Sequence, residues 1–362
     1  MIPYGRQSIS QEDLDAVAEV LRGDWLTQGP AIDRFEDAVA EYVGARYAVA
    51  FSSGTAALHG AAAAAGLGPG DVVVTSPLTF MASANCARYV GAEPTVVDID
   101  ASTWNIDLAL VPVDVAAVVP VHYAGLPVDL SRFDRGNRVV IEDAAHALGA
   151  HTVDGPVGNC ANSDMCCFST HPVKPITTGE GGLVTTNDDE LAARLRRFRS
   201  HGIIRRPEQG EWFYDIAEVG FNYRMTDIQA ALGASQLGRI DEFIERRNEI
   251  ALVYRRELAN LPVELPPGTP DGWRHGYHLF PIAVEKRAEV FSALREQGIG
   301  VQVHYVPIHH HPISAHMGFG VGDLPVCDAL YERLISLPIH PGLGSREVQR
   351  VLTAVRAVLE TC

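Results

Sequence analysis

A mostly parallel α/β sheet covered by helices, followed by a smaller α+β region, is the fold class this 362-residue sequence predicts. Three observations lead there. The runs at 72–75, 115–121 and 138–141 are apolar almost without a break, as in strands buried on both faces. Segments with helical spacing alternate with those strands, the pattern of a sheet built from crossovers. A proline- and glycine-rich stretch at 261–273 then precedes a strand, a helix, a second strand and two terminal helices. We divide the chain into a large domain, 1–245, and a small C-terminal domain, 246–362.

Taken in order, Ser10-Gln11-Glu12-Asp13 resembles a capping box and opens a helix to about Leu21. Trp25 lies beside the turn Gly29-Pro30 and is read either as a pocket wall or as ordinary core. A strand at 47–51 gives way at Gly54 to a helix, placing free amides at Gly54, Thr55 and Ala56. Such a helix start is either an anion site or a plain capped terminus. A strand at 72–75, a helix from Phe80 to Tyr89, and strands at 95–98, 115–121 and 138–141 follow. Ligands of such sheets bind beyond the carboxyl ends of the strands. There stands Asp143, in Glu142-Asp143-Ala144-Ala145-His146, which reads as a helix cap or as the partner of a bound cation. The strand 164–168 leads into Ser169-Thr170-His171-Pro172-Val173-Lys174-Pro175. The prolines stiffen the backbone around Lys174, as a positioned amine requires, although a surface lysine in a Pro/Gly loop fits the run alone. A strand at 183–186, a helix opened by Asp188, a mobile polar and aromatic loop at 203–218, and a long helix capped by Thr226 and running to Leu261 complete the large domain. In the small domain we expect strands at 277–284 and 301–304.

Composition excludes several classes. Hydrophobic residues make up 47% and charged residues 20%, which suits a folded core and not a disordered chain. A net charge of -16 argues against nucleic acid as a partner. Cys86, Cys160, Cys166, Cys167, Cys327 and Cys362 show no CxxC or Cys/His spacing, consistent with reduced thiols in the cytoplasm. The N-terminus has no apolar signal core, and no membrane association is read. His309-His310-His311 is not read as a metal site, because adjacent residues do not share a helix face and no acidic partner pattern accompanies them.

Gly54-Thr55, Phe80, Asp143 and Lys174 thus gather at strand ends. A ligand with a phosphate, a flat ring with a basic nitrogen, and an aldehyde accounts for all four, which points to pyridoxal 5′-phosphate (PLP). With Asp24-Trp25-Leu26-Thr27-Gln28-Gly29-Pro30, Ser53-Gly54-Thr55-Ala56-Ala57-Leu58, Glu142-Asp143-Ala144-Ala145-His146-Ala147-Leu148-Gly149, Lys174 before Thr177-Thr178-Gly179-Glu180-Gly181-Gly182, and Asn222-Tyr223-Arg224-Met225-Thr226-Asp227, the chain resembles the DegT/DnrJ/EryC1/StrS sugar aminotransferases nearly end to end. Ile2-Pro3-Tyr4-Gly5-Arg6, His171-Pro172-Val173-Lys174 and Val301-Gln302-Val303-His304-Tyr305 resemble the branch making pseudaminic acid precursors.

The resemblance implies the type I (aspartate aminotransferase-like) fold with a seven-stranded sheet. It also implies transfer of an amino group from L-glutamate to C4 of a UDP-linked 4-keto-6-deoxy-N-acetylhexosamine, the cofactor alternating between PLP and pyridoxamine 5′-phosphate. Amination of another UDP- or dTDP-linked keto sugar at C3 or C4 is the alternative; a sugar dehydratase or a PLP-binding regulator is remote. By position, Lys174 is the Schiff-base lysine and proton shuttle, and Asp143 the partner of the ring nitrogen. Phe80 and Ala145 sandwich the ring, His146 sits by its hydroxyl, and Gly54, Thr55, Ala56 and Ser169 take the phosphate. Asn222 reaches the phosphate of a partner subunit in a homodimer with shared sites. Trp25, His171, Arg224, His304 and Tyr305 are the candidate substrate contacts. Thr170 departs from that branch, which has phenylalanine there.

Overall fold

The computed structural model describes residues 1–361. Helices α1 (Gln11–Arg22) and α2 (Pro30–Val43) lead into β1 (Tyr47–Phe51), α3 (Gly54–Ala64), β2 (Val72–Thr75), α4 (Ala82–Tyr89), β3 (Glu93–Val96), β4 (Ala117–Val119) and β5 (Val139–Asp143). A two-residue ladder, β6 (His151–Thr152) with β7 (Gly155–Pro156), precedes β8 (Met165–Ser169), β9 (Gly182–Thr186) and α5 (Asp189–Phe198). A hairpin, β10 (Ile203–Arg205) with β11 (Tyr214–Ile216), is followed by α6 (Asp227–Leu237) and α7 (Ile240–Leu258). The chain ends with β12 (Phe280–Ala283), α8 (Arg287–Glu296), α9 (Pro325–Arg333), β13 (Leu334–Leu337) and α10 (Ser345–Thr361).

Seven strands form one sheet in the order β1-β9-β8-β5-β4-β2-β3. All neighbours run parallel except β9, which opposes both β1 and β8. The sheet is thus mostly parallel, and its strands are buried on both faces because helices cover both. One face packs α3 through Ala57, Ala61 and Ala62. The other packs Phe35, Val39 and Ile244 against Phe168 and Ala50. Alanines on α3 let that helix lie close to the strands, and Gly60 meets the Phe51 ring directly.

The helix caps follow the sequence. Ser10 and Asp13 exchange capping hydrogen bonds, as do Thr226 and Gln229, and Asp188 caps α5. Other elements differ from expectation. Phe80 precedes its helix, which begins at Ala82. Pro120 has no amide to donate, and β4 stops at Val119. β3 lies at 93–96 rather than 95–98. The helix expected to reach Leu261 is two, broken at Gly238-Arg239. The segment 203–218, expected to be a mobile loop, holds the β10–β11 hairpin, registered Ile203 to Ile216. The small region's sheet pairs β12 with β13, a strand the pattern missed between α9 and α10; the expected strand at 301–304 makes only a single bridge from Gln302 to Ser336.

A second cluster gathers Phe280, Ile282, Leu294, Ile335, Val351 and Val355. α7 joins the two clusters: Phe243 and Ile244 pack with the sheet, whereas Ile250, Tyr254 and Leu258 pack with the C-terminal region. Ile2 also joins the C-terminal cluster, bridging to Ile299. Five cysteines are buried free thiols, and Cys362 lies outside the described residues. Among the described residues no helix is long and apolar enough to cross a membrane.

Candidate active site

Beyond the carboxyl ends of β1, β5 and β8 lies a cavity of about 420 Å³. Its lining includes Gly54, Thr55, Phe80, Asp143, Ala145, His146, Ser169, His171, Lys174, His304 and Tyr305, so eleven residues singled out in the sequence meet in one place. A larger groove of about 500 Å³ beside Trp273 contains no lysine or histidine and so offers neither an amine nor an imidazole for proton transfer.

Lys174 sits in the loop between β8 and β9. That loop is held by hydrogen bonds donated by the amides of Thr170 to the Gly181 carbonyl (2.9 Å), Thr178 to the Thr170 carbonyl (2.9 Å) and Lys174 to the His171 carbonyl (2.9 Å). Thr170 is fully buried, and its hydroxyl lies 2.6 Å from that of Thr178, which itself donates to the Glu180 carbonyl at 2.7 Å. Thr170 therefore donates to Thr178, and the residue that departs from the related branch becomes a polar tie across the loop. Desolvation lowers the Lys174 pKa to about 8, opposed only by the Asp143 carboxylate. A near-neutral pKa leaves a substantial fraction of free amine, the form that attacks carbonyls and accepts protons.

Asp143, at the end of β5, is 5% exposed. Its Oδ1 accepts from the Ala145 amide at 3.1 Å, and its Oδ2 from the Ser83 hydroxyl at 2.6 Å. Across the cavity, α3 begins at Gly54 with Ser53 as its cap. The Ala56 amide already donates to Ser53 Oγ at 3.1 Å, so of the three amides expected to be free, that one is taken. A Cβ at Gly54 would stand 2.9 Å from the Ser169 Cβ, and one at Gly182 2.5 Å from the Ser53 carbonyl oxygen. Glycine at both positions lets the lysine loop and the helix start close on one small space.

The far wall comes from the C-terminal region. His146 Nε2 lies 3.0 Å from the Tyr305 hydroxyl, and its ring is 4.3 Å from that of His278. Burial, followed by the nearby Lys174, holds His146 and His278 far below the usual imidazole range and His304 at about 4. All three are neutral at pH 7. Among the described residues, the buried Nδ1 atoms of His146 and His278 have no hydrogen-bond partner. Two unpaired ring nitrogens, a neutral imidazole wall, an amine, a carboxylate and a helix N-terminus around one cavity fit a phosphorylated pyridine aldehyde.

Ala56, Trp25, Asn222 and Arg224 are not among the residues that line the cavity within one chain. Trp25 is 58% exposed and covers Gly29. Arg224 Nε is buried without a partner. Tyr4, Thr79, Glu180 and His278 line the cavity and were not anticipated; His278 follows Tyr277 in a stretch whose pattern signals only a strand. The His309-His310 pair does find an acid: Asp328 Oδ1 lies 2.9 Å from His309 Nε2 and 2.7 Å from His310 Nε2. This corrects the expectation of no acidic partner. His309, His310 and Asp328 offer three ligand atoms within 4.8 Å of one another, a grouping that could hold a metal ion.

A model of the DegT/DnrJ/EryC1/StrS aminotransferase family matches residues 7–356. A UDP-4-amino-4,6-dideoxy-N-acetyl-beta-L-altrosamine transaminase from Campylobacter jejuni is 35% identical over 376 residues, covering 99% of this chain and 98% of the relative. A Streptococcus pneumoniae protein solved in its PMP form superposes with a TM-score of 0.95 at 28% identity, covering both chains completely. Helicobacter pylori PseC, an aminotransferase involved in the biosynthesis of pseudoaminic acid, superposes with a TM-score of 0.92 at 30% identity, again over both whole chains.

Proposed function

The chain belongs to the DegT/DnrJ/EryC1/StrS aminotransferase family, and from that premise we propose that it moves an amino group from L-glutamate to C4 of a UDP-linked 4-keto-6-deoxy-N-acetylhexosamine, in the cytoplasm, as a homodimer. It is a PLP-dependent sugar aminotransferase of nucleotide-sugar biosynthesis with the type I fold. The observation that carries the aminotransferase chemistry is the desolvated Lys174 amine in the same cavity as Asp143 and the start of α3. The name of the C. jejuni relative, 98% of which is covered, supports UDP and C4, and the likeness to PseC supports a place in pseudoaminic acid biosynthesis.

PLP, when bound, supplies the carbonyl that accepts the amino group and a ring that withdraws electrons. The chain's residues do the rest. Lys174 would hold the aldehyde and, as a free amine, would move protons. Asp143 would pair with the ring nitrogen. The amides of Gly54 and Thr55, with Ser169, would hold the phosphate. Phe80 and Ala145 would flank the ring, and His146 would stand by its hydroxyl. His171, His304 and Tyr305 would contact the sugar. Asn222 would reach the phosphate in the site of the other subunit, and Trp25 and Arg224 are the remaining candidate substrate contacts. The large domain ends at 245 and the small begins at 246, within α7.

The test is an assay of the purified protein with L-glutamate against UDP- and dTDP-linked 3-keto and 4-keto sugars, with product position read by NMR. The expected product is the UDP-linked 4-amino-4,6-dideoxy-N-acetylhexosamine. Preferential amination at C3, or of a dTDP sugar, would overturn this reading.

A further inference from the structure

Asp143 is clamped from behind by residues outside its own strand. Ser83, in the first turn of α4, is fully buried, and Thr79 is 4% exposed. Ser83 Oγ carries one hydrogen and has two acceptors in reach, Asp143 Oδ2 at 2.6 Å and the Phe80 carbonyl at 3.2 Å. The shorter contact is to a carboxylate, and charge-assisted bonds are the stronger kind, so the hydrogen goes to Asp143. Ser83 Oγ then accepts from Thr79 Oγ1 at 2.9 Å. The hydroxyls run in one direction, Thr79 to Ser83 to Asp143, and each polarises the next. Cys86 Sγ donates to the Ser83 carbonyl at 3.1 Å and holds that turn.

The terminal torsion of an aspartate is soft, because it joins a tetrahedral to a planar carbon. Donors on both oxygens, the Ala145 amide on Oδ1 and the Ser83 hydroxyl on Oδ2, stop that rotation. The ionisable groups facing Asp143 are Lys174 and Tyr305 from the cavity and Cys86, Cys166 and Cys167 from the core. Burial raises all three thiols, Cys86 to about 12, so none brings a second negative charge.

We propose that Ser83, backed by Thr79, is a positioning residue that fixes the plane of the Asp143 carboxylate for the pyridine nitrogen. The proposal rests on the assignment of Asp143 to that nitrogen. It is tested on the full chain stripped of cofactor and titrated with PLP. Affinity is read from absorbance and ring orientation from visible circular dichroism, with Asp143→Asn measured in parallel. Ser83→Ala should raise the Kd for PLP about tenfold, equivalent to about 1.4 kcal/mol, and alter the dichroism, since a hydrogen bond to a charged group is lost. Ser83→Cys fills the same space with a weak donor and should behave like Ser83→Ala; Thr79→Val should cause a smaller shift in the same direction. Restoration by Ser83→Cys would show a packing role and overturn the proposal. Wild-type behaviour of Ser83→Ala beside an impaired Asp143→Asn would overturn the proposal and keep the Asp143 assignment. Wild-type behaviour of Asp143→Asn would remove the assignment itself. Should the Ser83 variants not fold, an unchanged Thr79→Val counts against the relay.

Discussion

The two walls of the cavity are built in opposite ways. The inner wall consists of strand ends and one helix start, where the backbone of a seven-stranded sheet fixes each residue: Asp143 closes β5, Ser169 closes β8 and Gly54 opens α3. The outer wall consists of loop residues, His278, His304 and Tyr305, held by contacts across the chain. The Tyr123 hydroxyl donates to the His304 carbonyl, the His304 ring meets Ser336, and fully buried Arg247 donates to the carbonyls of Tyr277 at 3.1 Å and Ile339 at 3.0 Å. The inner wall suits a constant cofactor, while the outer wall can change with the substrate without disturbing the sheet.

That division can be broken at its centre first. Lys174→Ala should lower amination by at least about a thousandfold, the scale of a lost proton-transfer group, with little change in fold by circular dichroism. Full activity would remove Lys174 from the chemistry. Next in size, Arg247→Met should cost about 2–4 kcal/mol in denaturant unfolding, because buried carbonyls lose their donor. It should raise KM for the sugar more than the Kd for PLP; equal effects on both would deny that the walls are separable. Gly54→Ala should weaken PLP binding about tenfold by crowding Ser169, on the scale of 1–3 kcal/mol for overpacking, and leave KM for the sugar nearly unchanged.

The smallest effect concerns pH. Without cofactor, Lys174 titrates near 8 in the folded chain and at its ordinary higher value when unfolded. Between those values the unfolded chain binds the extra proton, so this residue makes stability rise with pH from about 8 to about 10. Melting curves of the cofactor-free protein should lose that component in Lys174→Met.

The same division explains what could be read in the sequence. Asp143, Lys174 and the start of α3 were legible because each lies where a strand ends, next to the local signal that ends it: a carboxylate leaving an apolar run, a lysine between prolines, a glycine at a change of period. The parallel sheet was legible from its continuous apolar runs. His278 and Tyr4 were not, because their roles arise from packing between residues far apart in the chain. Ser83 was hidden too, since a serine in the first turn of a helix is ordinary unless one knows that Asp143 lies beside it. Strand ends slipped by a few residues where proline, as at Pro120, decided them.

The reversal of β9 has a consequence for how such chains vary in length. Gly182 is paired with Phe51 on one side and Ser169 on the other, so the lysine loop is pinned at both ends to strands that end at the cavity. One residue inserted between Ser169 and Gly182 must be absorbed inside the loop or must slip β9, and a slip of one position exchanges its two faces. An extended residue spans about 3.3–3.6 Å, more than the reach of a hydrogen bond. The length of this loop should therefore be invariant among functional descendants, while the β10–β11 hairpin, with no strand of the main sheet on either side, is free to lengthen.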